Sequence, residues 1–225
     1  MRHHQARTPP APWSGNLPPI RYDRLMLPRE LDDGFKRSAV SHTLTVVDAS
    51  RLTIRVQHAF HLRCTHPSRF VFSRYDWTGS GDESSPRIGP PAPDSSLPSP
   101  RLHGPAIKVD GGGRLLVIDL GRIYEPGEEC DLEVDHTFVD IRRTFQPFLT
   151  HRVTDGNEIL DLAVRIPSAL PVVVHSTQEI VESAHKESVR VAGTELSVGG
   201  VPYVEYRSTV RDPAVGRRYA IRWTW

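Results

Sequence analysis

Apolar and polar residues alternate along much of this chain with a period of two. Between 129 and 141, Cys130, Leu132, Val134 and Phe138 fall on even positions while Glu129, Asp131, Glu133 and Asp135 fall on odd ones. That is the pattern of a strand with one dry face. From Val40 the same grammar holds, with Val40, His42, Leu44 and Val46 alternating with Ser41, Thr43 and Thr45 up to the turn Asp48-Ala49-Ser50. In the next segment Leu52, Ile54, Val56, Phe60, Leu62 and Cys64 share one face, and Arg51, Thr53, Arg55, Gln57, His61 and Arg63 the other. So short a link between two strands predicts an antiparallel hairpin.

Further strands follow. Phe70 to Trp77 has apolar residues on both faces, as expected of a central strand. Ile107 to Val109 and Leu115 to Leu120, joined through Asp110-Gly111-Gly112-Gly113, predict a second hairpin. Phe145 to Val153 and Ile159 to Ile166, joined through Asp155-Gly156, predict a third. Val172 to Ser176 reads as a short buried strand, and Gln178 to Lys186 fits either a short helix or continued strand. Glycines 193, 199 and 200 punctuate later strands, and Tyr219, Ile221, Trp223 and Trp225 close the chain at period two. Regular strand spacing with almost no helical period predicts an all-β, two-sheet antiparallel β-sandwich with immunoglobulin-like or Greek-key connectivity.

Two stretches break the pattern. Residues 1–20 hold Pro9, Pro10, Pro12, Gly15, Pro18 and Pro19 without apolar periodicity, which predicts a disordered tail ahead of one sandwich domain over 21–225. Residues 82–105 are rich in Pro and Ser and predict a flexible loop with polyproline character inside that domain. The Pro90/Pro93 spacing matches a minimal Pro-x-x-Pro pattern without a good basic anchor. Composition changes little: 28 Lys and Arg against 27 Asp and Glu give no global field toward nucleic acid or an anionic membrane. Cys64 and Cys130 form no Cys-x-x-Cys motif or disulfide framework and sit at the apolar parity of their strands, the place of buried reduced thiols. No signal-like segment and no run of about 20 apolar residues occurs, so a cytoplasmic protein is expected.

The candidate site is the acidic stripe Glu129, Asp131, Glu133 and Asp135. It would either dock a basic partner or face the Arg51, Arg55 and Arg63 side of another strand as cross-strand pairs. Strand neighbours about 7 Å apart pointing one way cannot by themselves wrap a calcium ion. His58, His61, Cys64 and His66 come nearest to a zinc pattern. Alternation, however, sends His61 to the face opposite the other three, so no metal site and no cofactor is expected. His3 and His4 lie on the tail. Gly79-Ser80-Gly81 lacks the spacing of a phosphate loop or a nucleophile elbow, so no catalytic residue is assigned. The mixtures Arg142, Arg143, Phe145, Phe148 and Arg217, Arg218, Tyr219, Arg222, Trp223 suit a sheet with aromatics inside and arginines outside better than a single-strand nucleic-acid surface.

The segments Arg74 to Gly81, Asp131 to Ile141, Leu162 to Pro167 and Gly216 to Trp223 resemble an uncharacterised bacterial β-rich domain family. Its members often sit C-terminal to a helix-turn-helix domain in regulators. The resemblance covers roughly Tyr22 to Trp225 and implies a sensing or interaction module, with no catalytic residues to carry over. The chain has no helix-turn-helix segment of its own, so the resemblance does not extend to DNA binding. The expectation is a non-enzymatic module that recognises a protein partner or small ligand. A hydrolase or transferase with a site assembled from distant strands is the rival, and a nucleic-acid module the third reading.

Overall fold

A computed structural model describes residues 32–224 apart from 82–83, 90–98, 110–112, 155 and 181–185. The expected tail, the Pro90/Pro93 pattern and the centre of the second hairpin's turn lie outside the described residues. Those that are described form strands and no helix. β1 (Phe35–Asp48) and β2 (Thr53–Cys64) make the predicted hairpin, and β8 (Glu129–Val139) continues the sheet on the other side of β2. β10 (Ile159–Pro167) joins β1 in parallel, β14 (Val201–Arg211) pairs with β10, and β13 (Gly193–Val198) closes that edge. β4 (Arg87–Ile88) closes the other, giving a long sheet ordered β13-β14-β10-β1-β2-β8-β4.

Two smaller sheets cover one face of this long sheet. One is ordered β12-β11-β15-β9, from β9 (Phe148–Arg152), β11 (Val173–Ile180), β12 (Lys186–Arg190) and β15 (Arg217–Thr224). The other has β7 (Gly113–Tyr124) between β3 (Ser68–Asp76) and the short β5 (Arg101–Leu102), with β6 (Ile107–Lys108) also on β7. The first meets the long sheet around β10, where β9 and β15 lie close. The second meets it around β8, where Tyr75 and Trp77 pack on Phe138. The protein is therefore an all-β sandwich whose second layer is divided in two.

Alternation explains the core. Val40, Leu44 and Val46 of β1, Ile54, Val56, Phe60 and Leu62 of β2, and Leu132, Val134 and Phe138 of β8 are all buried on the covered face. They belong to one cluster that reaches Leu116 and Ile118 on β7 and Ile221 and Trp223 on β15.

Three expectations change. Phe148–Arg152 does not pair with Ile159–Pro167: β9 pairs with β15, and the chain crosses between layers before β10 begins. In that crossing Val153 is fully buried, the Gly216 N–H donates to the Val153 carbonyl at 2.9 Å, and the Asn157 amide donates to the Arg37 carbonyl at 2.7 Å. Second, β3 is an edge strand, since β7 carries partners on both sides. Of its outer residues, Phe70 packs edge-on against His103, with centroids 5.0 Å apart. Third, the Pro/Ser-rich stretch is not ladder-free: Arg87–Ile88 and Arg101–Leu102 each lie just beyond a proline and add two-residue strands to the long sheet and to the β7 sheet.

Candidate functional site

The uncovered face of the long sheet can be read row by row from the strand registers. Across one row lie Thr209, Asp161, Ser41, Ala59 and Glu133, and across the next Arg211, Ile159, Ala39, His61 and Asp131. The two middle strands carry small side chains here, so a trough of about 320 Å³ opens over Ala39, Ser41 and Ala59. Its banks are Asp131 and Glu133 on β8 and Asp161 on β10, and His61 closes one end. Neighbouring strands are about 4.8 Å apart, so the banks stand roughly 14 Å from each other, the width of one extended chain with its side chains. The lining holds three carboxylates and neither lysine nor arginine.

The four residues of the predicted stripe do share this face, but they differ in surroundings. Arg55 holds Asp135 through its Nε at 2.9 Å, and Arg63 lies opposite Glu129 in the ladder. Asp131 accepts from His61 Nδ1 at 2.8 Å, and Glu129 lies 3.5 Å from His61 Nε2. The hydrogen bond to Asp131, followed by the charges of Asp131 and Glu129, holds His61 above the ordinary imidazole value. Glu133 has no ion-pair partner among the described residues. Asp161, on the far bank, is held by Arg207 and by Thr209 Oγ1 at 2.7 Å. Arg51 lies in the turn before β2 and takes no part in this face. The ends of the stripe are thus cross-strand pairs, and its middle opens on the trough.

The metal-like run His58, His61, Cys64 and His66 is dispersed, as alternation required of His61. His58 and Cys64 are buried, His61 faces out, and His66 lies beyond the end of β2 and is exposed. Neither cysteine is bridged; burial raises the Cys64 thiol and pushes Cys130 up to about 11, so both are poor nucleophiles. Ser80 is not an activated hydroxyl. Its Oγ donates to Asp140 Oδ1 at 2.9 Å, and Asp140 also takes the Ser80 N–H at 2.7 Å and the Phe145 N–H at 2.6 Å. Burial would raise that carboxyl, yet these hydrogen bonds together hold it below its usual range, as befits a loop clamp. In the arginine-aromatic mixtures Tyr219 and Trp223 are buried while Arg218 and Arg222 pair with Glu179.

A histidine cluster that spacing did not predict lies on the covered face. His42 Nδ1 is 2.6 Å from His58 Nδ1, and His42 Nε2 is 2.9 Å from His151 Nδ1. His136 stands edge-on to His58, with centroids 5.6 Å apart, and meets Tyr75 at 4.4 Å. The two contacts of His42 leave from opposite sides of its ring at hydrogen-bond length, so the three rings do not converge on one ion. No group of three or more metal-ligating side chains among the described residues does. A second cleft, about 440 Å³, lies between β11–β12 and β13–β14 and is lined by Val172, Val174, Arg190 and Tyr206, without a carboxylate or nucleophile. The titratable cluster opens on neither.

No protein-family model and no curated protein matches the chain. Among solved structures, an M1 zinc metallopeptidase from Deinococcus radiodurans aligns with 84% of this chain and 42% of its own length at 10% identity and a TM-score of 0.46. Its E323A mutant bound to L-arginine gives 84%, 42%, 11% and 0.45. The chain spans about two-fifths of those proteins. At this level of similarity nothing about activity passes to it.

Proposed function

We propose that the protein is a non-catalytic binding module that seats an extended, Lys- or Arg-bearing segment of a protein partner in the trough over Ala39, Ser41 and Ala59. The observation that carries this reading is the lining itself: three carboxylates around a floor of small side chains, with neither lysine nor arginine and with His61 at one end. Basic side chains on such a segment would find on one bank Glu133, a carboxylate without an ion pair among the described residues, and on the other Asp161, already oriented by Arg207 and Thr209. The small floor lets a backbone approach the sheet closely, and the charges choose its sign. The nucleophile candidates are either clamped or shut inside the sandwich, which favours recognition over chemistry. The unbridged cysteines fit a reducing, cytoplasmic setting. No helix among the described residues is long and apolar enough to cross a membrane.

Fluorescence anisotropy with a labelled peptide of alternating Lys and Ser, and with its Glu-for-Lys counterpart, tests the reading. The basic peptide should bind saturably and weaken with added salt, the acidic one should not bind, and Glu133→Lys should reduce affinity at least tenfold. Equal binding of both peptides, or full binding by the Glu133→Lys protein, removes the trough from the account.

A further inference from the structure

The histidine cluster lies where the three sheets meet. Taken in order, His151 on β9, His42 on β1, His58 on β2, His136 on β8 and Tyr75 on β3 form a continuous row of rings. It enters from one small sheet, crosses three strands of the long sheet and leaves through the other. When the rings are neutral, each of the two N···N contacts has one donor and one acceptor. His58 can donate to His42 and His42 to His151, or the whole direction can reverse. One extra proton would sit on His42, which would then donate at both ends but would be a charge enclosed between layers. A second would set like charges on rings whose centroids are 4.7 or 5.0 Å apart.

We propose that this row is an acid-release joint: the two small sheets stay seated on the long sheet while the row is neutral, and separate from it when the row takes up protons. Burial, then His58 and His151, puts His42 well below its ordinary value; burial, then His136 and His151, puts His58 down to about 3. Burial puts His136 down to about 4 against an opposing pull from Asp135, which acts from the outer face of β8. On the β9 side His151 lies beside Tyr219 in the ladder with β15, and on the β10 side His42 lies beside Leu162. An opened chain protonates such rings near 6.5. The stabilisation is therefore complete above about pH 6.5 and is lost as the pH falls from there toward 3 to 4. Between pH 6 and 5 each ring that stays neutral in the folded chain adds about eightfold to the unfolding equilibrium, and three such rings together roughly five-hundredfold. Carboxylates contribute mainly below that window. His61, whose value is raised, acts with opposite sign and mainly above it.

Urea unfolding followed by tryptophan fluorescence at pH 7, 6 and 5, with the wild-type chain and His136→Phe, reads the proton uptake directly. The wild-type constant should rise roughly five-hundredfold from pH 6 to 5, and the variant's rise should be about eightfold smaller, one proton less. Hydrogen exchange at pH 5 should speed up in β9, β15 and β3 before β1 and β2. NMR titration of the wild-type ring signals, which needs no variant, should find His42, His58 and His136 neutral down to pH 5. Rings that titrate near 6.5 in the folded protein, a rise under tenfold, an unchanged slope in His136→Phe, simultaneous opening of all strands, or stabilisation by added zinc would each overturn the joint.

Discussion

Asp140, just past the end of β8, and His61, inside β2, are both polar residues of the long sheet, and they work in opposite ways. Asp140 is buried and spends its two oxygens on the backbone of 80 and 145 and on the Ser80 hydroxyl, tying the loop after β3 to the loop after β8. Asp140→Ala would leave those N–H groups without their acceptor and should cost about 1–3 kcal/mol in chemical unfolding. His61 is half-exposed and shares its proton with Asp131 and Glu129. Because its value is raised, it is charged through the unperturbed imidazole range, and the stability it contributes is present below about 6.5 and lost as pH rises through the higher folded value. The trough loses a positive charge on the same rise. Affinity for the basic peptide should therefore increase about two- to fivefold between pH 6.5 and 8.5, and His61→Gln should flatten the profile.

At the scale of elements, β1, β2 and β8 were readable because each has one wet face, and a period of two then states both the element and its orientation. The acidic parity of β8 was read from the same signal, and it does face out beside Arg55. What alternation does not contain is the partner. β10 joins β1 in parallel across more than a hundred residues, and β9 turns to β15, although Gly156 sits between them where a hairpin turn was expected. The histidine row was hidden for the same reason. His42, His58 and His136 all occupy apolar parity, which was visible, but their meeting depends on the β1–β2 register that sets His42 against His58 and on strands brought in from 136 and 151. The trough's far bank, Asp161, needed the unpredicted parallel pair. Edge geometry allows a sharper check. A Cβ on Gly193 would come within 2.3 Å of Val204 Cγ1 and 2.9 Å of Tyr206 Cε1, so a larger residue there must push those side chains aside for β13 to stay on β14. Gly193→Val should destabilise by about 1–3 kcal/mol and speed amide exchange over 193–198.

The whole molecule is a long sheet with one face sealed and one face open. Sealing takes two smaller sheets, and a row of imidazoles runs among the aliphatic side chains of the interior from one to the other. The open face bears the charges in rows, mostly satisfied across strands, with an unfilled trough over the middle strands. The proposed recognition trough on one side of β1 and β2 and the proposed acid-release joint on the other are thus separated by the thickness of one sheet. The measurement that bears most directly on the recognition claim is an NMR map of the wild-type chain titrated with the alternating Lys/Ser peptide. Shifts confined to Ala39, Ser41, Ala59, Asp131, Glu133 and Asp161 and abolished by Glu133→Lys are the predicted result, whereas shifts centred on the Val172–Tyr206 cleft, or none at all, would contradict it.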